Sequence, residues 1–330
     1  MRIAALIFIA AFLLGSCTQE ADNGSSFYTA KTISYIVATD PGGGYDSYAR
    51  LIGNYMQKKM PVDNIVIRNV PGAGHLVGAN TLHRSKPDGL TIGTFNMGLI
   101  YGQLLDKQGM PFDLRDLEWI GKAAGEPRSI VVSKKCPIKN IEDLMAVEEP
   151  VMFGSAGLGS ASWSDMMLLA DALDLKVNVI PGFEGNEGEM SMLRGEICAY
   201  MGSTSSFQHF VDAGNGSLIL SVGGDITDVP NAMDVARTER ARLLISVIDT
   251  LAQLGRITAA PPGTPPDRLD ELRAAYKASL EDPDLLAEAT RLGKPIDPAF
   301  GDDVSRLVIA ALDQSPETIA MIKKAIDSGQ

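Results

Sequence analysis

Strand-like and helix-like segments alternate along this chain, and at three points a strand runs into a helix through glycine. Residues 32–38 (TISYIVA), 64–69 (NIVIRN) and 90–95 (LTIGTF) have the β-branched, apolar character of strands. Residues 45–60 and 75–84 between them have helical spacing. The alternation resumes after Trp119, with strands at 129–133, 151–154, 176–180, 197–201 and 217–222 and helices at 141–146, 160–173, 186–193 and 205–211. A further helix is expected at 239–254 and a short strand at 256–260. Beyond Pro261-Pro262-Gly263 the chain turns helical, with Pro265, Pro283, Pro298 and Pro316 each placed to open a helix. Alternation of this kind predicts α/β architecture, with parallel sheets faced by helices, in two units followed by a helical tail. At 330 residues and 45 % apolar content the chain can bury two cores.

The glycine turns are Pro41-Gly42-Gly43-Gly44-Tyr45-Asp46, Pro71-Gly72-Ala73-Gly74-His75 and Gly154-Ser155-Ala156-Gly157-Leu158-Gly159-Ser160. Each lies at the carboxyl end of an expected strand. A helix leaves its first N–H groups unpaired, and its dipole concentrates positive potential there. Glycine lets a ligand approach those amides, and a carboxylate or phosphate is the natural guest. None of the three turns carries Lys or Arg. Recognition is therefore expected from amides, hydroxyls and water, with Arg50 and Arg128 of minor importance.

Several function classes are poorly supported. Forty-one acids against 29 bases give a net charge of −12, the wrong balance for a nucleic-acid binder, so no nucleic-acid partner is expected. The run Gly72 to Gly78 does not have GxGxxG spacing, and GxxxxGK[ST] is absent. With three histidines (His75, His83, His209) and no HExxH or GxSxG, neither an enzyme, a metal site nor a cofactor is expected. Asp113, Asp116 and Glu118 read as a solvated helix or turn.

The N-terminus resembles an export signal. Arg2 precedes an apolar run at 3–14 that is short for a membrane span, and Leu14-Gly15-Ser16-Cys17 resembles a bacterial lipobox. This implies a signal peptide at 1–16, lipid attachment at Cys17 and a polar tether at 17–30, in a periplasmic or cell-surface protein anchored to a membrane. Cys136 and Cys198 remain. Outside the cytoplasm they could pair, but Cys198 lies in an expected strand where a buried free thiol is the favoured reading.

The order strand–PGGGYD–AR, strand–RNVPGAG–GAN, KPDGLTIGTFN, FGSAGLGS, VIPGFEGNEGEMSMLRGEICAYMGS resembles the receptor component of tripartite tricarboxylate transporters, the Bug family, from about residue 31 to the C-terminus. The resemblance implies a two-lobed type II periplasmic-binding-protein fold with a ligand cleft between the lobes. Lobe 1 would be 31–120 plus 258–330, and lobe 2 would be 121–257. It also implies a monomeric receptor that captures a small carboxylate, of the di- or tricarboxylate or acidic amino-acid class, and passes it to a permease of one small and one large membrane subunit. A receptor for a sensor kinase, or an enzyme of small organic acids, is the alternative. By position, the ligand would be held by Gly42, Gly43, Gly44, Tyr45 and Asp46; by Gly72, Ala73, Gly74 and His75; and by Ser155, Ala156, Gly157 and Ser160. Phe95 and Asn96 would line the cleft from lobe 1, and Phe183, Gly185 and Asn186 from lobe 2. The family often has small residues where Tyr45 and Trp163 stand and glycine at His75; Trp163 is more simply a core residue.

Overall fold

A computed structural model describes residues 26–106 and 110–327, so the apolar leader, Cys17 and most of the tether lie outside the described residues. The first sheet begins with β1 (Thr32–Val37), β2 (Asn64–Asn69) and β3 (Thr91–Phe95), paired in parallel in the order β3-β1-β2. They are joined by α1 (Gly44–Lys59) and α2 (Leu76–His83), and α3 (Gly98–Leu104) follows β3. In α1, Tyr48, Leu51, Ile52, Tyr55 and Met56 recur at helical spacing and are buried, while Lys58 and Lys59 close the last turn at the negative end of the dipole. Asp113 then caps a single 3₁₀ turn, Leu114–Asp116, which leads into β4 (Glu118–Lys122).

At β5 (Arg128–Ser133) the chain enters a second sheet. There follow α4 (Ile141–Ala146), β6 (Val151–Ser155), α5 (Ala161–Leu173), β7 (Val177–Pro181), α6 (Glu187–Arg194), β8 (Ala199–Ser203), α7 (Thr204–Asp212) and β9 (Gly216–Val222). The strand order is β7-β6-β8-β5-β9. After α8 (Ala232–Val235) and α9 (Glu239–Ala252), β10 (Ile257–Ala260) returns to the first sheet. Helices α10 (Pro266–Leu280) and α11 (Pro283–Arg291), strand β11 (Ala299–Phe300), and helices α12 (Asp302–Leu312) and α13 (Pro316–Asp327) complete the chain. The first sheet reads β11-β4-β10-β3-β1-β2.

Neither sheet is wholly parallel. β10 runs antiparallel to β3 and β4, and β5 antiparallel to β8 and β9. Both strands arrive from the other lobe, so no crossover helix of their own sheet returns the chain to the same end. Pro265, Pro283 and Pro316 stand at helix starts, but Pro298 precedes the two residues of β11, and α12 opens four residues later. The tail also divides. α10 and α12 pack on β4, whereas α13 packs on α5 and α9 beside the second sheet.

The lobes are not independent globules. One continuous apolar core runs from Phe95 and Trp119, through Tyr101, to Trp163, Met166 and Phe153. Tyr35 and Tyr48 belong to a second cluster on the other face of the first sheet. Each fully buried large apolar side chain contributes about 1.5–3 kcal/mol. Cys136 and Cys198 form a disulfide, with Cα atoms 5.1 Å apart, which corrects the expectation of free thiols. The free-thiol reading weighed Cys198 alone; the pairing of β5 with β8 brings the Cys136 turn beside it. Closing a loop of 62 residues is worth about 4 kcal/mol on the chain-entropy account.

Candidate functional site

Between the two sheets lies a cleft of about 420 Å³. The first glycine turn opens onto it. Gly43 is the N-cap of α1 and supplies no side-chain cap, so the first-turn amides of a 16-residue helix have no side-chain acceptor there. Gly42, Gly43, Gly44 and Tyr45 all line the cleft. Asp46 does not. It is 3 % exposed beneath the turn and accepts hydrogen bonds from Gly42 N (3.0 Å), Arg50 Nε (2.8 Å) and Asn69 Nδ2 (3.0 Å). Burial works to raise its pKa, but those hydrogen bonds hold the carboxyl below its ordinary value. Asp46 shapes the turn, and Arg50 faces outward.

The second and third turns are pressed against each other. A Cβ on Gly74 would stand 2.7 Å from Ser160 N and 2.8 Å from Leu158 O. One on Gly157 would stand 3.1 Å from Gly74 N. Ala73, Gly74 and His75 have φ of 49°, 63° and 79°, a left-handed run that only glycine adopts without strain. The polar groups of the third turn are largely spent within it. Ser160 Oγ donates to Gly157 O (2.8 Å) and accepts from Trp163 N (3.3 Å), and Ala156 N donates to Ser162 Oγ (3.0 Å). From these two turns only His75 and Ala156 reach the cleft; Gly72, Ala73, Gly74, Ser155, Gly157 and Ser160 do not line it.

Asn96, Gly185 and Asn186 line the cleft as well. Phe95 does not, being 1 % exposed in the core with its ring 6.0 Å from Trp119. Phe183 packs beside Tyr200 and Phe207 in a small cluster of the second lobe, and Trp163 is a core residue at 2 % exposure. His75 is buried, with Nε2 accepting from Asn96 Nδ2 (2.7 Å); Asn96 Oδ1 accepts from Gly98 N (2.9 Å), which sets the amide's orientation. Burial, with Arg256 and Arg128 nearby, lowers the His75 pKa to about 3. The imidazole is neutral at physiological pH and its Nε2 is occupied, so it is not placed as a general base.

Four cations line the cleft that no local motif announced: Arg128, Arg256, Arg291 and Lys294. Arg128 Nε donates to Asp165 Oδ2 (2.7 Å) and Nη1 to Ser203 Oγ (3.0 Å). Burial pushes the Asp165 carboxyl up, against the pull of Arg128, and Tyr101 Oη donates to it (2.8 Å). Arg256, just before β10, donates through Nη2 to Glu126 Oε1 (2.9 Å) and Ser206 Oγ (3.1 Å). Its guanidinium lies 4.4 Å from the Tyr45 ring centroid and 4.9 Å from that of Tyr48. Arg128 and Arg256 flank the two strands by which the chain changes lobes, the one signal that could have drawn attention to them. Among the described residues no group of three His, Cys, Asp or Glu is placed to hold a metal ion, and no helix is long and apolar enough to cross a membrane. The donors that surround the cleft suit an anion.

The family model of the tripartite tricarboxylate transporter family receptor matches residues 48–324. A UPF0065 protein from the TAR-I ttuE-ttuC' intergenic region of Agrobacterium vitis is 25 % identical over 292 residues, covering 87 % of this chain and 82 % of the relative. The solved periplasmic binding protein BugD superposes with a TM-score of 0.76 at 22 % identity, over 90 % of this chain and 98 % of its own. MatC from Rhodopseudomonas palustris with bound malate gives a TM-score of 0.72 at 20 % identity, covering 88 % and 99 %. An R. palustris protein with adipate gives 0.74 at 17 %, covering 89 % and 97 %. The structural likenesses establish a two-lobed periplasmic-binding-protein fold, and the match of the family model over most of the chain places this protein in the receptor family of the tripartite tricarboxylate transporters.

Proposed function

We propose that this chain captures a small organic acid of the di- or tricarboxylate class in the cleft and hands it to a permease of one small and one large membrane subunit. The observation that carries the reading is the cleft itself, where the uncapped N-terminus of α1 stands with Arg128, Arg256 and Lys294. Gly42, Gly43, Gly44, Tyr45, His75, Asn96, Ala156, Gly185 and Asn186 are the contacts proposed from the expected set. Thr39 Oγ1, also on the cleft, is buried without a hydrogen-bond partner, and a bound carboxylate would supply the acceptor. The malate and adipate held by two proteins of the same fold support the ligand class. The mature chain is proposed to begin at a lipidated Cys17 and to work as a monomer outside the cytoplasm.

A thermal-shift screen of organic acids on the purified mature protein tests this, because a ligand that binds only the folded state raises its melting temperature. The expected result is a saturable rise with a di- or tricarboxylate and recovery of that acid unchanged. Absence of binding by every acid, or conversion of the acid to a product, would overturn it. Cys17→Ala is expected to release the protein from the membrane fraction.

A further inference from the structure

We propose that Lys294, with Arg256 beside it, forms a cationic subsite that reads one carboxylate of the ligand, which makes Lys294 the residue that selects a diacid over a monoacid. The inference rests on the carboxylate reading above.

The cations of the cleft are not equivalent. Arg128 is neutralised by Asp165 and Arg256 by Glu126. Four other acids near Lys294 in sequence or on the rim are otherwise engaged: Glu288 pairs with Arg291 (3.7 Å) and Asp297 with Lys122 (2.7 Å), Glu189 lies 2.8 Å from His209 Nε2, and Asp212 accepts from Gln208 Nε2 (2.8 Å). Lys294 has no carboxylate partner among the described residues. Its contact is the Tyr48 ring, whose centroid lies 5.3 Å from Nζ. It is half-buried on the cleft wall, and burial together with Arg256 pushes its ammonium below the ordinary value. Such a cation gains from an anion brought into the cleft.

A second observation points to the same place. Arg256 is 3 % exposed, and its Nε is buried without an acceptor. A buried donor left unpaired is costly, and a carboxylate oxygen reaching Lys294 and Arg256 together would satisfy it. The position is held firmly for this. Lys294 N donates to Ala289 O (2.8 Å) at the end of α11, and Tyr48 Oη donates to Pro295 O (2.8 Å), which ties the segment to α1. Arg256 is braced over Tyr45 and Tyr48 and has φ of 55°. Backbone strain of that kind persists where the surroundings over-determine it.

The test is isothermal titration with succinate, glutarate and adipate and with the monomethyl ester of each, which keeps one carboxylate and masks the other. Wild type is expected to bind its best diacid at least about tenfold more tightly than the matching ester, the worth of one charge-assisted hydrogen bond. Lys294→Gln should erase that preference and leave the ester's affinity within about twofold, and Lys294→Arg should restore part of it. Lys294→Met, which keeps the aliphatic packing on Tyr48, replaces Lys294→Gln if the latter does not fold. A preference retained in Lys294→Gln, or an equal loss for diacid and ester, would overturn this subsite and leave the proposed function standing. If no member of the series binds wild type, this subsite falls, and the proposed function falls with it only if the wider acid screen also finds no ligand.

Discussion

The first glycine turn and the second are built from nearly the same residues, yet they do different work. Residues 42–45 sit at the start of α1 with their backbone on the cleft. Residues 72–74 sit before α2, with the Gly74 backbone against Leu158, Gly159 and Ser160 of the other lobe. In both turns glycine permits close approach. The partner is the cleft and the side chains on its far wall in one case, where Cβ atoms on Gly42 and Gly44 would stand 2.7 Å from Asn186 Nδ2 and 2.9 Å from Arg256 Nη2, and another main chain in the other. Glycine-rich turns at strand ends therefore mark where a backbone must be reached, without saying by what. Even the first turn is partly a lobe contact, since a Cβ on Gly43 would stand 3.1 Å from Gly185 Cα.

This contrast can be broken by substitution. Gly74→Val is expected to have the largest effect. It places a branched side chain at φ 63° with its Cβ 2.7 Å from Ser160 N, so urea unfolding should show a loss of about 3 kcal/mol. Wild-type stability would mean that the second and third turns are not in obligatory contact. Gly43→Val should behave differently. At φ −77° the backbone tolerates a side chain, so stability should change by no more than about 1 kcal/mol. Ligand affinity should nevertheless drop at least about tenfold in isothermal titration, because the lobes could not meet at Gly185.

The pH dependence of binding sharpens the same boundary. Glu184, beside Gly185, has its pKa raised to about 7 by burial and by Asp40 of the facing lobe. Opening the cleft moves the two carboxylates apart and returns Glu184 toward its ordinary value. The closed form therefore takes up a proton. Its advantage is full below the ordinary carboxylate range and is lost as pH rises through about 7. Affinity should fall by up to about tenfold between roughly pH 5 and pH 8, and Glu184→Gln should flatten the profile. A flat profile in wild type would detach Glu184 from closure. Arg50→Ala should have the smallest effect. Its side chain is 53 % exposed, so melting should report about 0.5 kcal/mol or less, with binding intact because Gly42 and Asn69 still hold Asp46. A large loss of affinity would return Arg50 to the site.

Much of the molecule was legible in local pattern. Apolar periodicity located β1 to β3 and α1, and the switch from β6 to α5 could be read at Ser160, whose hydroxyl caps that helix. Glycine between strand and helix located residues 42–45, and the motif order pointed to the family that the chain belongs to. β4 was missed because Glu118 and Lys122 bound a short apolar stretch within a charged segment. Phe95 was expected on the cleft from its place at the end of β3, but an aromatic ring of that size contributes more when packed against Trp119.

Local readings succeed where a few neighbouring residues settle the outcome, as with burial period, helix capping and the conformations open to glycine. They fail where distant segments must meet. Arg128, Arg256 and Lys294 reach one cleft because the chain leaves the first sheet after β4 and returns at β10, and because the segment after α11 is tied to Tyr48. The disulfide between Cys136 and Cys198, the antiparallel setting of β10 and the docking of α13 on the second lobe have the same origin. Each depends on contacts separated by tens to hundreds of residues. No single segment records such contacts, because the free energy that selects them comes from burying whole faces of sheets and helices against one another.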